Sequence, residues 1–275
     1  NVGLRNLVLD GCGIDGIRLH SEHFGGTGNP RRAASDIIIE DNEIRNWGSE
    51  DPAHPGTAHD FDAAIQCNNF HETAQARALG VDPHLNRVHR VVIQRNDIHS
   101  PRWPGTPWKT LASDPDNVHT RGVHAVTFGR CGTNHVIRYN DIYSGNGNHF
   151  NDPIGGGDNF NDPNDGSLGD PGSGGFPWAD TDIYGNRISH AYDDAIEAEG
   201  DNRNVRIWAN YFDHVFVAIG NASTYRGPLY VWRNVSNWMA NMWCTQCDPD
   251  TTDGRGELIK GGGHVNAQYY NGGIA

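Results

Sequence analysis

The sequence predicts an all-β chain wound as a single-stranded right-handed parallel β-helix (a β-solenoid) with inserted loops. Three observations predict it: a short phrase that recurs down the chain, strict alternation of apolar residues inside that phrase, and a composition heavy in turn formers. The phrase is an aliphatic residue, two others, Asn, one more, then an apolar residue. It reads Ile39–Asn42–Ile44, Ile93–Asn96–Ile98, Ile137–Asn140–Ile142, Ile183–Asn186–Ile188 and Ile207–Asn210–Phe212. Val231–Asn234 is a weaker copy, and Leu9–Cys12–Ile14 carries Cys in place of Asn. The anchors 183, 207 and 231 are 24 residues apart, and the earlier spacings of 30, 54, 44 and 46 fit the same coil with loops inserted. A fixed period with a fixed Asn points to a parallel β-helix rather than to leucine-rich, propeller or helical repeats.

Each element follows from the phrase. The strand before the Asn alternates, as in Ile37–Ile39 and Val205–Ile207, which is strand periodicity. Asn at the bend tolerates left-handed backbone and bonds neighbouring main chain. Stacked coils set these amides above one another, where they can bond in a ladder. A second strand follows the bend and aligns on one inward aliphatic: Ile17, Ile65, Val126, Ile154, Ile196, Ile219 and Ile259. Coils stack at about 4.8 Å, so the outward face forms a ribbed surface suited to an extended ligand. Residues 1–275 are read as one such domain, expected to be part of a longer chain because no end cap is evident.

Composition narrows the function. There are 34 acidic against 21 basic side chains and a net charge of −13, which argues against nucleic acid as a partner. No apolar run is long enough to span a membrane. Five cysteines are an odd number, so no disulfide framework is expected. Cys12 and Cys67 read as buried free thiols, and Cys244 and Cys247 as a CxxC pair able to form a local disulfide.

The coils around Ile39–Asn42, Ile137–Asn140 and Ile183–Asn210 resemble the pectate-lyase-like superfamily, and within it secreted bacterial right-handed parallel β-helix repeat proteins. The resemblance covers most of residues 1–240 and implies the fold, an extracellular location and a polysaccharide as partner. It does not select an activity, because the superfamily holds lyases, hydrolases, epimerases, esterases and non-enzymatic fibres. Asp193-Asp194-Ala195-Ile196 matches part of the polygalacturonase pattern, whose other motifs are missing. Asp82-Pro83-His84 matches the epimerase triplet but falls in an inserted loop. Pectate lyases use calcium with an Arg or Lys base, and no such base is clearly placed here.

The chemistry is expected at Asp193, Asp194, Glu197 and Glu199. Glu197 and Glu199 are two apart on a strand and face one side, with Asp193 and Asp194 just before, at the turn. Crowded carboxylates raise one another's pKa, and glycoside hydrolysis needs one protonated and one ionised carboxyl group. The alignment sets Asp152 level with Asp194 and His124 one coil further, with His149 just upstream. These three extend the catalytic strip. Gln66 and Lys260 are expected to bind substrate, as are Trp103, Trp108 and Trp178 in inserted loops, whose rings suit sugar faces. Asp158, Asp162 and Asp165 lie in a Gly-, Asp- and Asn-rich loop with oxygen ligands suited to Ca2+.

The expected function is therefore that of a secreted, polysaccharide-cleaving enzyme, with hydrolysis favoured over calcium-dependent elimination. Under elimination His124, Arg121 or Lys260 would be the base. The alternative from another class is a non-catalytic solenoid, an adhesin, fibre or surface-layer component able to associate end to end.

Overall fold

A computed structural model describes residues 2–19, 34–60, 62–67, 88–107, 120–128, 131–155, 176–177, 179–200, 202–221, 224, 227–239 and 256–260. These residues form parallel β-sheets, with no helix among them. The chain lays down its strands in rotation. The first round is β1 (Val2–Arg5), β2 (Val8–Asp10) and β3 (Ile17–Arg18). The next are β4 (Ser35–Glu40), β5 (Glu43–Arg45) and β6 (Ala63–Gln66), then β7 (His89–Gln94), β8 (Asp97–His99) and β9 (His124–Thr127). They are followed by β10 (Val136–Arg138), β11 (Asp141–Tyr143) and β12 (Ile154–Gly155). In the next rounds β13 (Asp182–Tyr184) leads into the long β14 (Arg187–Glu197), and β15 (Val205–Trp208) into the long β16 (Tyr211–Gly220). The last described round is β17 (Leu229–Trp232), β18 (Val235–Ser236) and β19 (Glu257–Lys260).

The first strand of every round joins a 7-stranded sheet in the order β1-β4-β7-β10-β13-β15-β17. The second and third strands join a 12-stranded sheet that curls on itself, because β14 and β16 run through both rows. The first part of β14 pairs with β11 and its end pairs with β12. All the pairings between named strands are parallel, and the register holds from one round to the next except for one shift between β14 and β16. Ile39, Ile93, Ile137, Ile183 and Ile207 are mutual partners along the first sheet. Ile44, Ile98, Ile142, Ile188 and Phe212 are partners along the second row. Ile17, Ile65, Val126, Ile154, Ile196, Ile219 and Ile259 are partners along the third, as the sequence alignment expects. These columns, except Ile259, fill one buried core between the sheets. Each such side chain contributes about 1.5–3 kcal/mol, and slipping one strand by a residue would turn its whole set outward.

The Asn ladder is present. Asn42, Asn96, Asn140, Asn186 and Asn210 each donate Nδ2–H to the Oδ1 of the next Asn, ending at Asn234, over 2.9–3.0 Å. Each also donates to a carbonyl one round back, of Leu4, Ile39, Ile93, Ile137 and Ile183 in turn. Leu4, in register with Ile39, holds the anchor position of the first round, and Leu9, expected there, instead pairs with Ile44. The left-handed backbone expected at these Asn residues lies one position earlier, at Asp41, Arg95, Tyr139, Gly185, Ala209 and Arg233. The Asn side chains are thereby turned inward along the stack, leaving the preceding residue to make the bend. At Gly185 a Cβ would lie 2.6 Å from the Tyr139 ring, so the bend there needs glycine on two counts.

One expectation is corrected. Cys67 is not a free thiol but forms a disulfide with Cys131, 64 residues on. Consecutive rounds bring the two together: Cys67 N–H bonds the Thr127 carbonyl on the neighbouring strand end. Cys12 is a free thiol. The Cys244–Cys247 pair lies outside the described residues. No helix among them is long and apolar enough to cross a membrane.

Candidate functional site

The site lies on the third row, where β14 ends. A regular strand sends neighbouring side chains to opposite faces, which would part Asp193 from Asp194. Here the pairing of β14 with β16 shifts register between Ala191 and Asp194. Such a bulge places two residues against one and re-aims side chains. Both carboxylates consequently reach one cation: Lys260 Nζ is 2.6 Å from Asp194 Oδ2 and 3.8 Å from Asp193 Oδ1. It is also 3.4 Å from Glu199 Oε1. The expectation that Asp193 and Asp194 occupy a turn is thus corrected, since both sit within a bulged strand.

Two glycines make room for the cluster. Glu197 is in register with Gly220 on β16, and Gly220 with Lys260 on β19. A Cβ on Gly220 would lie 1.9 Å from Asp194 Oδ2 and 3.0 Å from Glu199 Oε1, so two carboxylates fill the notch its missing side chain leaves. On the other side a Cβ on Gly155 would lie 2.9 Å from the Cβ atoms of Asp152 and Glu197. Asp152 enters from the segment before β12, and its Oδ1 accepts the Asp194 N–H over 2.9 Å. Thr120 Oγ1 is 3.2 Å from Asp193 Oδ2 and also hydrogen-bonds Asn151 Oδ1.

The five carboxyl groups are buried. Burial pushes the Asp152 carboxyl well above the usual carboxylate range, and repulsion from Glu197, Asp193 and Asp194 adds to it. Burial likewise raises Asp194, with Asp193 repelling and Lys260 opposing the rise. Burial works against the Lys260 charge, but Asp194, Asp193 and Glu199 outweigh it and hold the ammonium above the ordinary lysine value. One carboxylate therefore sits against an ammonium, whereas Asp152 has carboxylates as its nearest charges. Asp152, Asp193 and Asp194 also offer oxygen atoms within 4.8 Å of one another, a donor set that can hold a hard divalent cation.

Around this centre the other expected residues take different places. His124 is fully buried behind Asp152, its Nδ1 2.7 Å from the Asp152 carbonyl, and its own carbonyl accepts the Trp47 indole N–H. His149 is buried and stacks on Tyr192 at 4.5 Å, beside the bulge. Gln66 is buried and pairs in register with Thr127, toward the earlier rounds. Trp103 packs against the core rather than standing clear of it. Arg121 is held by Asp51 and His54, each at 2.8 Å from its Nη1. Trp108, Trp178, Asp158, Asp162 and Asp165 lie outside the described residues, as do Asp82, Pro83 and His84. Sequence reasoning missed Thr120, which precedes β9 in no recognisable phrase. It also passed over Gly155 and Gly220, although the alignment that levels Ile154, Ile196, Ile219 and Ile259 puts them in line with Glu197 and Lys260.

No family model matches the chain, and no curated protein and no solved structure matches it.

Proposed function

We propose that the parallel sheets are walls of a right-handed parallel β-helix of the pectate-lyase-like kind, and that the centre at Asp152, Asp193, Asp194, Glu197 and Glu199 hydrolyses glycosidic bonds in an extended polysaccharide. The observation that carries the reading is the contrast between two neighbouring carboxyl groups, those of Asp152 and Asp194, linked through the Asp194 main-chain N–H. Burial raises both, but Asp194 has the Lys260 ammonium against it to oppose the rise and favour its charge, while Asp152 lies among carboxylates that favour its proton. Glycosidic cleavage calls for such a pair, an acid to protonate the leaving oxygen and a carboxylate to act as base or nucleophile. Asp152 is the acid in this assignment and Asp194 the carboxylate, with Glu197 and Glu199 shaping the field around them. His124 fixes the Asp152 main chain, and His149 with Tyr192 borders the site. The Cys67–Cys131 disulfide supports a location outside the cell, where such bonds persist.

A second reading is calcium-dependent elimination, favoured by the convergence of Asp152, Asp193 and Asp194 oxygens. A bound divalent cation would neutralise a uronate and acidify the proton beside it. Mass spectrometry of the products from neutral and acidic polysaccharides separates the readings. Hydrolysis yields fragments heavier by one water, unaffected by chelator. Unsaturated fragments that vanish with chelator mean elimination. Asp194→Asn is expected to lower hydrolysis by about 10³-fold or more. Intact polymer across the panel would instead favour a non-catalytic solenoid, whose exposed Val2, Val8, Trp232 and Val235 on the first and last described rounds suit end-to-end association.

A further inference from the structure

We propose that Lys260 is the resident cation of the acidic centre, a positioning residue seated through the notch at Gly220, and that it competes with divalent cations for Asp193 and Asp194. Lys260 stands on β19, a round beyond β16, yet its ammonium touches carboxylates of β14 and of the residues just after it. The register explains how. Glu197, Gly220 and Lys260 occupy one outward column on three successive strands. With any side chain at the middle position, the Asp194 and Glu199 carboxylates would be displaced, because a Cβ there would fall 1.9 Å from Asp194 Oδ2 and 3.0 Å from Glu199 Oε1. The missing side chain lets both carboxylates lean over β16, where Lys260 Nζ lies 2.6 Å from the first and 3.4 Å from the second. The side chain of Lys260 is 30% exposed, whereas the carboxylates that its ammonium meets are buried. Asp193 and Asp194 are the two residues shared between this ammonium and the oxygen set that converges with Asp152. An ammonium and a dication held by the same two carboxylates repel each other.

The inference concerns the same centre as the hydrolytic reading, but its test uses no substrate, so either can fail alone. Calcium chloride and, separately, magnesium chloride are titrated calorimetrically into the wild-type chain, Lys260→Met and Lys260→Arg. Removing a unit positive charge a few ångströms away is expected to tighten cation binding by about tenfold or more in Lys260→Met. Lys260→Arg keeps the charge and is expected to bind as weakly as the wild type. Equal affinity for wild type and Lys260→Met, or no binding to Lys260→Met, overturns the competition. The notch has its own test. Gly220→Ala and Lys260→Met both break the same pairing, so the double variant should lose no more melting temperature than the worse single variant. Additive losses would show that Gly220 does not seat Lys260.

Discussion

Asp152 and Asp194 differ by what lies beyond their shared hydrogen bond. Both are buried acids, but the ammonium of Lys260 is 2.6 Å from Asp194 Oδ2, whereas Asp152 is surrounded by like charge. A carboxyl group whose pKa is raised in the folded state binds more protons folded than unfolded. Stability then falls as pH rises from the usual carboxylate range, about 4, through the raised folded value, and it recovers on acidification. The wild-type melting temperature is therefore expected to climb between pH 8 and pH 5. Asp152→Asn should flatten that slope and stabilise the chain at the alkaline end of that range, where the wild-type carboxyl is forced to ionise. Thermal unfolding across pH checks this, and an unchanged slope in the variant would remove Asp152 as the proton carrier. The run from Tyr192 to Glu199 is visible in the sequence as a concentration of carboxylates. That Asp193 and Asp194 share one partner is not, because alternation alone sends them apart and only the bulge against β16 brings them together. Thr120 was equally hidden, since its contact with Asp193 spans 73 residues.

At the scale of the strand and its bend, the repeat was readable nearly throughout. The third-row partners run from Ile17 to Ile259 in the register that their aliphatic character sets, even across insertions. What the phrase did not disclose is the division of labour at the bend. Asn, Asp and Gly are the usual left-handed residues, so Asn attracts that assignment, yet Arg95, Tyr139 and Ala209 take the conformation instead. They do so because each following Asn is held at Oδ1, Nδ2 and its own N–H by neighbouring rounds. Asn140 bonds Asn96, Asn186 and the Ile93 carbonyl while almost fully buried. Asn140→Ala would remove four hydrogen bonds, two of them donated by Asn96 and two by the Asn140 amide, at a cost of about 3 kcal/mol. Chemical denaturation measures it, and a loss under about 0.5 kcal/mol would mean that solvent or a neighbour replaces the ladder there.

For the whole molecule the decisive covalent feature is the one least visible in the sequence. Among five cysteines the sequence suggests only the local Cys244–Cys247 pair, and the separation of 64 residues from Cys67 to Cys131 includes inserted segments that mask their being one round apart. A loop of that size closed in the unfolded chain is worth about 4 kcal/mol on chain-entropy grounds. Cys131→Ser is expected to lower stability by up to that amount under oxidising conditions and to remove most of the response to reductant. A wild-type chain whose melting temperature ignores reductant would contradict it. The disulfide also alters what it means to sever this molecule. The backbone from 67 to 131 and the sulfur bridge together make a closed ring with a tail at each end. One peptide-bond cut inside the ring opens it without detaching anything. The nicked protein would stay a single species until thiol is added and would then part into two fragments, which hides proteolysis in that region from any separation of fragments run without a reducing agent.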